Sequence, residues 1–307
     1  MGNIMNFNKI LLGAILVAGN VFVRPAFAAD IAPDSSCSLN GLIEGSGIYN
    51  QTSFPNALPG AAPNQTYISA FGLGAVDYNC GFWNYQAIVQ ATNYFPSQYD
   101  SGGRGYTYAE LSATAEADIF WRDPQSYAIG FGLTGHGSDD HLTGFGTFSG
   151  QDFHNTNQYL EGLVFAEAYL NDQMTLGAGG FLNEGNRHNG LSGADRSYQT
   201  FGGDLYARFY ATPNLRFTLR GSLSQNTTQV TNNVITSYGA AAIATYKIAN
   251  TPIALFTRAN FGGSNETLAS PFYPSSYAEG VVGFTVALGP HAYGSLLEED
   301  RNGVMIH

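Results

Sequence analysis

The segment YTYAELSATAEADIFWRDPQSYAIGFGLTG, residues 106–135, alternates between two chemistries with a period of two. Ahead of the tight turn Asp123-Pro124-Gln125, the odd positions Ala109, Leu111, Ala113, Ala115, Ala117, Ile119 and Trp121 are all apolar. The even positions Glu110, Ser112, Thr114, Glu116 and Asp118 are all polar. After the turn, Tyr127, Ile129, Phe131 and Leu133 continue the apolar face, and Ala128, Gly130, Gly132 and Thr134 make the other. Successive side chains of a strand point to opposite faces, so this is a β-hairpin standing between two solvents. A half-buried soluble sheet also alternates, but its strands average roughly 5–6 residues, whereas a tilted strand needs about 9–11 to cross a bilayer. Tyr106 to Trp121 clears the larger figure, and the pattern predicts an all-β, antiparallel, up-and-down transmembrane β-barrel.

The amino terminus fits export. Lys9 precedes an apolar core from Ile10 to Ala18, and Ala26, Phe27 and Ala28 form an A-x-A-like cleavage site ahead of Ala29. Residues 1–28 are therefore read as a cleaved signal peptide. No lipobox precedes Cys37, and no later run reaches the roughly 18 apolar residues of a membrane helix. Loss of Lys9 and Arg24 takes the net charge from -11 to -13. An acidic chain of this kind is a poor partner for nucleic acid. Glycine (38), tyrosine (19) and phenylalanine (21) are abundant while only 11% of residues are charged, which suits an outer surface facing lipid. Localisation in a bacterial outer membrane follows as the expectation, with outer-membrane lipids as partners.

Twelve candidate strands follow in order, from Leu42–Asn50 to Tyr277–Leu288, so the expected barrel occupies residues 42–289 between a periplasmic segment 29–41 and a polar tail 290–307. Five connections are short and rich in turn formers, such as Thr212-Pro213-Asn214 and Asn250-Thr251-Pro252. Six are long, the longest being Gly135 to Asn157. Short turns on one rim and long loops on the other, with an even strand count, put both termini on the periplasmic side. The only two cysteines, Cys37 before the first strand and Cys80 in the first short turn, then meet at that rim as a structural disulfide stapling the seam. Aromatics at strand ends, among them Trp83, Tyr85, Trp121, Tyr127, Tyr238, Tyr246 and Phe261, read as interfacial girdles.

On these features the chain resembles the porins and related outer-membrane β-barrels of Gram-negative bacteria. The resemblance covers the whole mature chain, rests on architecture, and carries no diagnostic motif. It implies a channel for passive diffusion of small polar solutes or ions, with no cofactor and no enzymatic activity. Such proteins commonly end on an aromatic residue closing the last strand. Here Phe284, Val286 and Leu288 are followed by the polar stretch Ser295 to Gly303. The loop after the fifth strand, which often folds into the lumen of porins as a constriction, corresponds to Gly135–Asn157.

With the apolar face outward, parity sends charge into the lumen. Glu44, Glu110, Glu116, Asp118, Glu161 and Glu167 point inward from the first, fourth and sixth strands. Arg208, Arg216, Arg220, Lys247 and Arg258 point inward from the eighth to eleventh strands, with Asp204 and Glu279 as acidic members of that side. Facing acidic and basic arcs either line a water-filled pore with a transverse field or bridge across a closed lumen. The inward glycines Gly130, Gly132, Gly177 and Gly179 favour open volume and hence the pore.

Other chemistry is thinner. His136, Asp139, Asp140, His141, Asp152 and His154 in the longest loop fit no tight metal motif, so no metal site is expected. His136-Gly137-Ser138 resembles the His-x-Ser pair of outer-membrane phospholipase A, with Asn155 or Asn157 in the place of the orienting asparagine. That family follows the serine with Asn-Gly where this chain has Asp139-Asp140, and parity turns His136 and Ser138 away from the lipid they would have to reach. A third alternative is a non-conducting structural or adhesin barrel acting through loops such as Phe54 to Pro59.

Overall fold

Alternation over most of the chain leaves each strand with one apolar and one polar face, and closure is the arrangement that satisfies every backbone group in lipid. The computed structural model describes residues 37–53, 64–101, 104–146, 152–189, 194–228, 234–267 and 275–306. The proposed signal peptide 1–28 and the loop Phe54–Pro59 lie outside the described residues.

Twelve strands run β1 (Ser38–Ser53), β2 (Asn64–Cys80), β3 (Trp83–Ser101), β4 (Arg104–Asp123), β5 (Tyr127–Gly146), β6 (Asp152–Asn171), β7 (Met174–Asn189), β8 (Ala194–Thr212), β9 (Leu215–Thr228), β10 (Val234–Lys247), β11 (Ile253–Thr267) and β12 (Ser275–Leu288). Each pairs antiparallel with its sequence neighbours, and β1 closes on β12 from Gly41 opposite Leu288 to Ser53 opposite Ser276. The first strand therefore begins at Ser38, ahead of the expected Leu42.

The exterior is apolar. Leu111, Ile129, Leu133, Leu160, Leu205, Leu219, Leu223 and Val282 are all at least half exposed, a continuous surface that a water-soluble protein does not carry. At the short-turn end, Trp121 stacks on Phe82 at 4.8 Å and meets Trp83 edge-on at 5.4 Å, the start of one aromatic girdle. Gly81 and Asn250 take positive φ in their short turns, the conformation that these two residue types adopt most cheaply.

The strands are longer than the alternation predicts. β4, β5 and β6 have 20 residues each, about 65 Å of chain, against an apolar band of about 25 Å. Most of the expected loop Gly135–Asn157 is ladder, paired from Gly135 opposite Leu160 to Thr143 opposite Asp152. The reason is that hydrophobic alternation ends where lipid ends, while backbone hydrogen bonding continues into water.

Cys37 and Cys80 are disulfide-bonded, with Cα atoms 4.2 Å apart. The bridge ties β1 to β2, beside the pair Ser38 and Asn79, and not the β1–β12 seam, because Cys80 closes the strand that pairs with the other edge of β1. Replacing both cysteines by serine is expected to lower stability by roughly 3–4 kcal/mol in the chain-entropy picture while leaving the barrel folded. Mass spectrometry of the unreduced protein should find the two peptides linked, and a free thiol at either position would refute the pairing.

After β12 the chain turns at Gly289 to Gly294 and forms one short helix, α1 (Leu296–Asn302). Ser295 caps it, its Oγ accepting from Glu298 N, and Gly303 N donates to Glu299 O at the other end. Glu298 and Glu299 in the first turn and Arg301 in the last complement the helix dipole.

Candidate functional site

The polar face of each strand lines the interior, and its charges separate into two tiers along the barrel axis. The lower tier lies within the first few inward positions above the short turns: Asp77 on β2, Gln86 on β3, Asp118 and Arg122 on β4, Glu167 on β6, Arg208 on β8, and Lys247 on β10, all buried. Arg216 on β9 joins them at the same rim, its side chain only 18% exposed. An open pore would leave such groups wet. What buries them is the segment after β12, which crosses the short-turn mouth of the barrel.

This crossing can be followed contact by contact. Leu297 N donates to Pro213 O and Leu296 N to Asn214 Oδ1, fixing the start of α1 on the β8–β9 turn. Asp300 accepts from Arg216 and from Tyr210 Oη, the latter at 2.6 Å, and Lys247 Nζ donates to Glu299 Oε2 at 2.5 Å. Arg301 Nη2 donates to Asn171 O at 2.6 Å, and its guanidinium lies 5.0 Å over the Tyr169 ring, so α1 reaches the opposite rim. The chain then runs along the wall into the lumen. Asn40 Nδ2 donates to Asn302 O, Arg122 Nη1 to Gly303 O at 2.7 Å, and Gln86 both donates to Met305 O and accepts from Met305 N.

Apolar contacts complete the seal. Val304 packs with Leu42, Leu73, Ala75 and Ile88, and Met305 with Phe120, Ala128, Phe165 and Tyr169. Burial pushes the Glu299 carboxyl up, and Lys247 brings it only part of the way back. Burial also acts to raise Asp300, but Arg216 and Arg208 outweigh it and hold that carboxyl below the usual carboxylate range.

Covered by this segment, Glu167 is the hub of the wall. It accepts from Arg208 Nη1 at 2.7 Å and from Tyr206 Oη, with Glu167 itself fully enclosed. Asp118 accepts from Gln86 Nε2 at 2.9 Å. Thus the lower members of the two arcs are held by each other and by the C-terminal segment, and not by a bridge across an empty lumen.

The upper tier differs. Arg220 Nε stands 2.9 Å from Asp204 Oδ2, and Arg258 Nη2 3.7 Å from Glu279 Oε1, each pairing locally on its own side of the barrel. Their side chains are 38% and 34% exposed, against 1% for Lys247, so they meet open space where the lower tier does not. Asn50 and Asn260 both donate to Glu279, Thr134 Oγ1 to Glu116, and Asn183 Nδ2 to Glu161 at 3.0 Å. Glu44 lies within electrostatic reach of Arg258 and Arg216, and Glu110 sits half-buried opposite Asp140. Near the long-loop end, Ser222, Ser224, Ser237, Ser264, Ser275 and Tyr277 surround an open recess of about 370 Å³.

The inward glycines do not create open volume. A Cβ at Gly130 would collide with Phe120 and Phe165, at Gly132 with Asp118, at Gly177 with the Tyr206 ring, and at Gly179 with Asp204. Their missing side chains make room for large neighbours, which is why β5 and β7 can lie beneath bulky residues of β4, β6 and β8.

His136 is half-buried, its Nδ1 2.9 Å from Thr114 Oγ1 and its ring stacked on Tyr159 at 4.5 Å. Asn157 Oδ1 accepts from Tyr198 Oη at 2.7 Å. His141 and His154 stack as a cross-strand pair at 4.4 Å, with His154 Nδ1 3.7 Å from Asp139. Among the described residues, no three His, Cys, Asp or Glu side chains are gathered as a metal site.

Sequence reasoning missed Asp77, Gln86, Arg122, Tyr206 and Tyr210, along with the tail residues Glu299, Asp300 and Arg301. Inward parity was a sufficient signal for the wall residues: Arg122 is four positions beyond Asp118 on the same face of β4. No sequence signal marks the partners of the tail.

No protein-family model matches the sequence, and no curated protein matches it. The fold does have solved counterparts. The translocator domain of the autotransporter NalP from Neisseria meningitidis superposes with a TM-score of 0.53 at 9% identity, over 91% of this chain and 95% of that one. The β domain of the Bordetella autotransporter BrkA gives 0.53 at 11% identity, over 80% and 98%. An outer membrane channel from Pseudomonas putida F1 gives 0.55 at 10% identity, over 86% and 98%. Identities this low speak for the fold alone, and on that evidence the chain has the fold of a twelve-stranded outer-membrane β-barrel, similar to autotransporter translocators and to an outer-membrane channel.

Proposed function

We propose that the protein is an outer-membrane channel for passive diffusion of small polar solutes or ions, and that it is not an enzyme. The carrying observation is the upper lumen, where Arg220 and Arg258 remain about one-third exposed among carboxylates, asparagines and hydroxyl groups. Ionised side chains in that number need water around them or full pairing, and local pairing at 2.9 and 3.7 Å leaves them partly solvated. Wet charge on both sides of a wall is what tunes ion passage in channels. The non-enzymatic reading draws support from His136, whose Nδ1 is partnered by a threonine on the inner face, away from lipid.

A second reading is favoured by a specific feature: with its short-turn mouth covered, the barrel would serve as a closed structural or adhesin barrel. The two readings part on the chain ended at Gly289, which retains all twelve strands. Heat-modifiable migration on a gel checks that this variant folds. In planar bilayers it is expected to carry ion current. A folded tail-less barrel that passes no ions would overturn the channel in favour of the closed barrel.

A further inference from the structure

The barrel is complete without its last residues. Each of the twelve strands has both neighbours, and β12 finishes its pairing with β1 at Leu288, so no part of the following segment belongs to the sheet. The segment is continuous with the wall only through Gly289, which takes φ +107. Beyond it, docking depends on side-chain latches spread around the rim. Asp300 is held by Arg216 and Tyr210, Glu299 by Lys247, and Arg301 by the carbonyl of Asn171 and by Asp172 at 3.6 Å. Arg122 and Gln86 hold the backbone at Gly303 and Met305. The charges are matched by position: tail acids meet the basic side, β9 and β10, and the tail arginine meets the turns after β4 and β6. Two apolar side chains, Val304 and Met305, fill the remaining gap.

We propose that residues 290–306 are a charge-latched gate, an autoinhibitory segment whose release opens the lumen at the short-turn mouth while the barrel stays intact. This rests on the channel reading above. In the docked state the lower tier is buried: Asp300 and Glu299 of the tail neutralise Arg216 and Lys247, the Gly303 carbonyl accepts from Arg122, and Arg208 stays paired with Glu167 of the wall. On release, water enters and Arg216 and Lys247 lose their counter-charges, so the β9–β10 side of the mouth changes from a sealed base to a positively charged vestibule. No strand has to move.

The test uses the full chain carrying Glu299→Lys and Asp300→Lys, which sets lysines against Lys247 and Arg216. Moving a gate from about 1:99 open to closed to the reverse takes on the order of 10⁴ in its equilibrium, and loss of two enclosed ion pairs plus like-charge contact acts on that scale. Two readouts are taken: single-channel current in planar bilayers, and tryptic cleavage within residues 299–301 in detergent, where the native chain buries Arg301. The native chain should be mostly closed and protected, and the reversed chain mostly open and cleaved. Adding Lys247→Glu and Arg216→Glu to the reversed chain should restore both closure and protection.

The gate is overturned if the native chain conducts as well as the reversed one while its tail stays protected. It is equally overturned if the reversed chain is cleaved yet passes no more current than the native chain, or if it remains protected and closed. Silence of the tail-less barrel would instead remove the channel reading itself, so the two failures are distinguishable. Should the reversed chain fail to fold, the milder Glu299→Gln with Asp300→Asn tests the same latch, with the same outcomes read in the same way.

Discussion

Replacing Glu167 by alanine is expected to destabilise the barrel by about 3–5 kcal/mol, the largest effect of any single wall substitution. Glu167 is fully enclosed and accepts from Arg208 and Tyr206 at once. Without it, the Arg208 guanidinium, only 11% exposed, keeps one weak contact at 3.4 Å to Ile306 O, a face-on contact with Tyr206 at 4.8 Å and the more distant charge of Asp300. An enclosed cation that has lost its hydrogen-bonded counter-charge is the costly outcome, and the phenol of Tyr206 loses its acceptor as well. Glu167→Gln should fall between, since the amide oxygen still accepts from Tyr206 while the charge is lost. Urea midpoints in lipid vesicles and the temperature of the gel-mobility shift report the change. A cost below about 1 kcal/mol, the range of solvent-exposed pairs, would mean that water reaches the lower tier.

Neutralising Arg220 and Arg258 together, as Arg220→Gln with Arg258→Gln, is expected to turn the open barrel toward cations. In the structure these arginines pair with Asp204 and Glu279. Their removal leaves both carboxylates unopposed on a wall that already carries Glu44, Glu110, Glu116 and Glu161, so the upper lumen becomes acidic on both sides. Stability should fall by less than at Glu167, since both arginines are about one-third exposed, but by more than a surface pair would cost, since Asp204 and Glu279 are only 14% and 15% exposed. The measurement is the reversal potential under a salt gradient, made on the tail-less chain so that the C-terminal segment does not intervene. An unaltered reversal potential in a conducting barrel would show that ions do not pass these residues. The contrast with Glu167 is instructive: two inward charge sites of similar sequence character differ in whether they control stability or selectivity, and depth below the C-terminal segment decides which.

Much of the architecture is legible in the residues themselves. A period-two pattern such as Ala109 to Trp121 reports a strand, its two faces and the solvent on each, because side-chain direction in a strand is a local geometric consequence of the backbone. Turn formers such as Thr212-Pro213-Asn214 report the short rim for the same local reason. Parity alone places Glu116, Glu167, Arg216 and Arg258 inside, and the chain order of the hairpins brings Cys37 to Cys80. Where the alternation fades, after Thr134, the pattern stops reporting because it measures lipid contact; the ladder from Gly135 to Thr143 rests on backbone hydrogen bonds that any sequence can make. The tertiary structure alone decides what parity leaves open, namely the height of a group and what lies across from it. Gly177 looks like space in sequence and is the floor beneath Tyr206; Glu299 and Asp300 look like a solvated tail and are the counter-charges of Lys247 and Arg216, 52 and 84 residues away. Those partners are chosen by the closure of the barrel, which sets distant strands around one mouth, and by the low polarity of the sealed interior, where a charge must find an opposite charge whatever its distance along the chain.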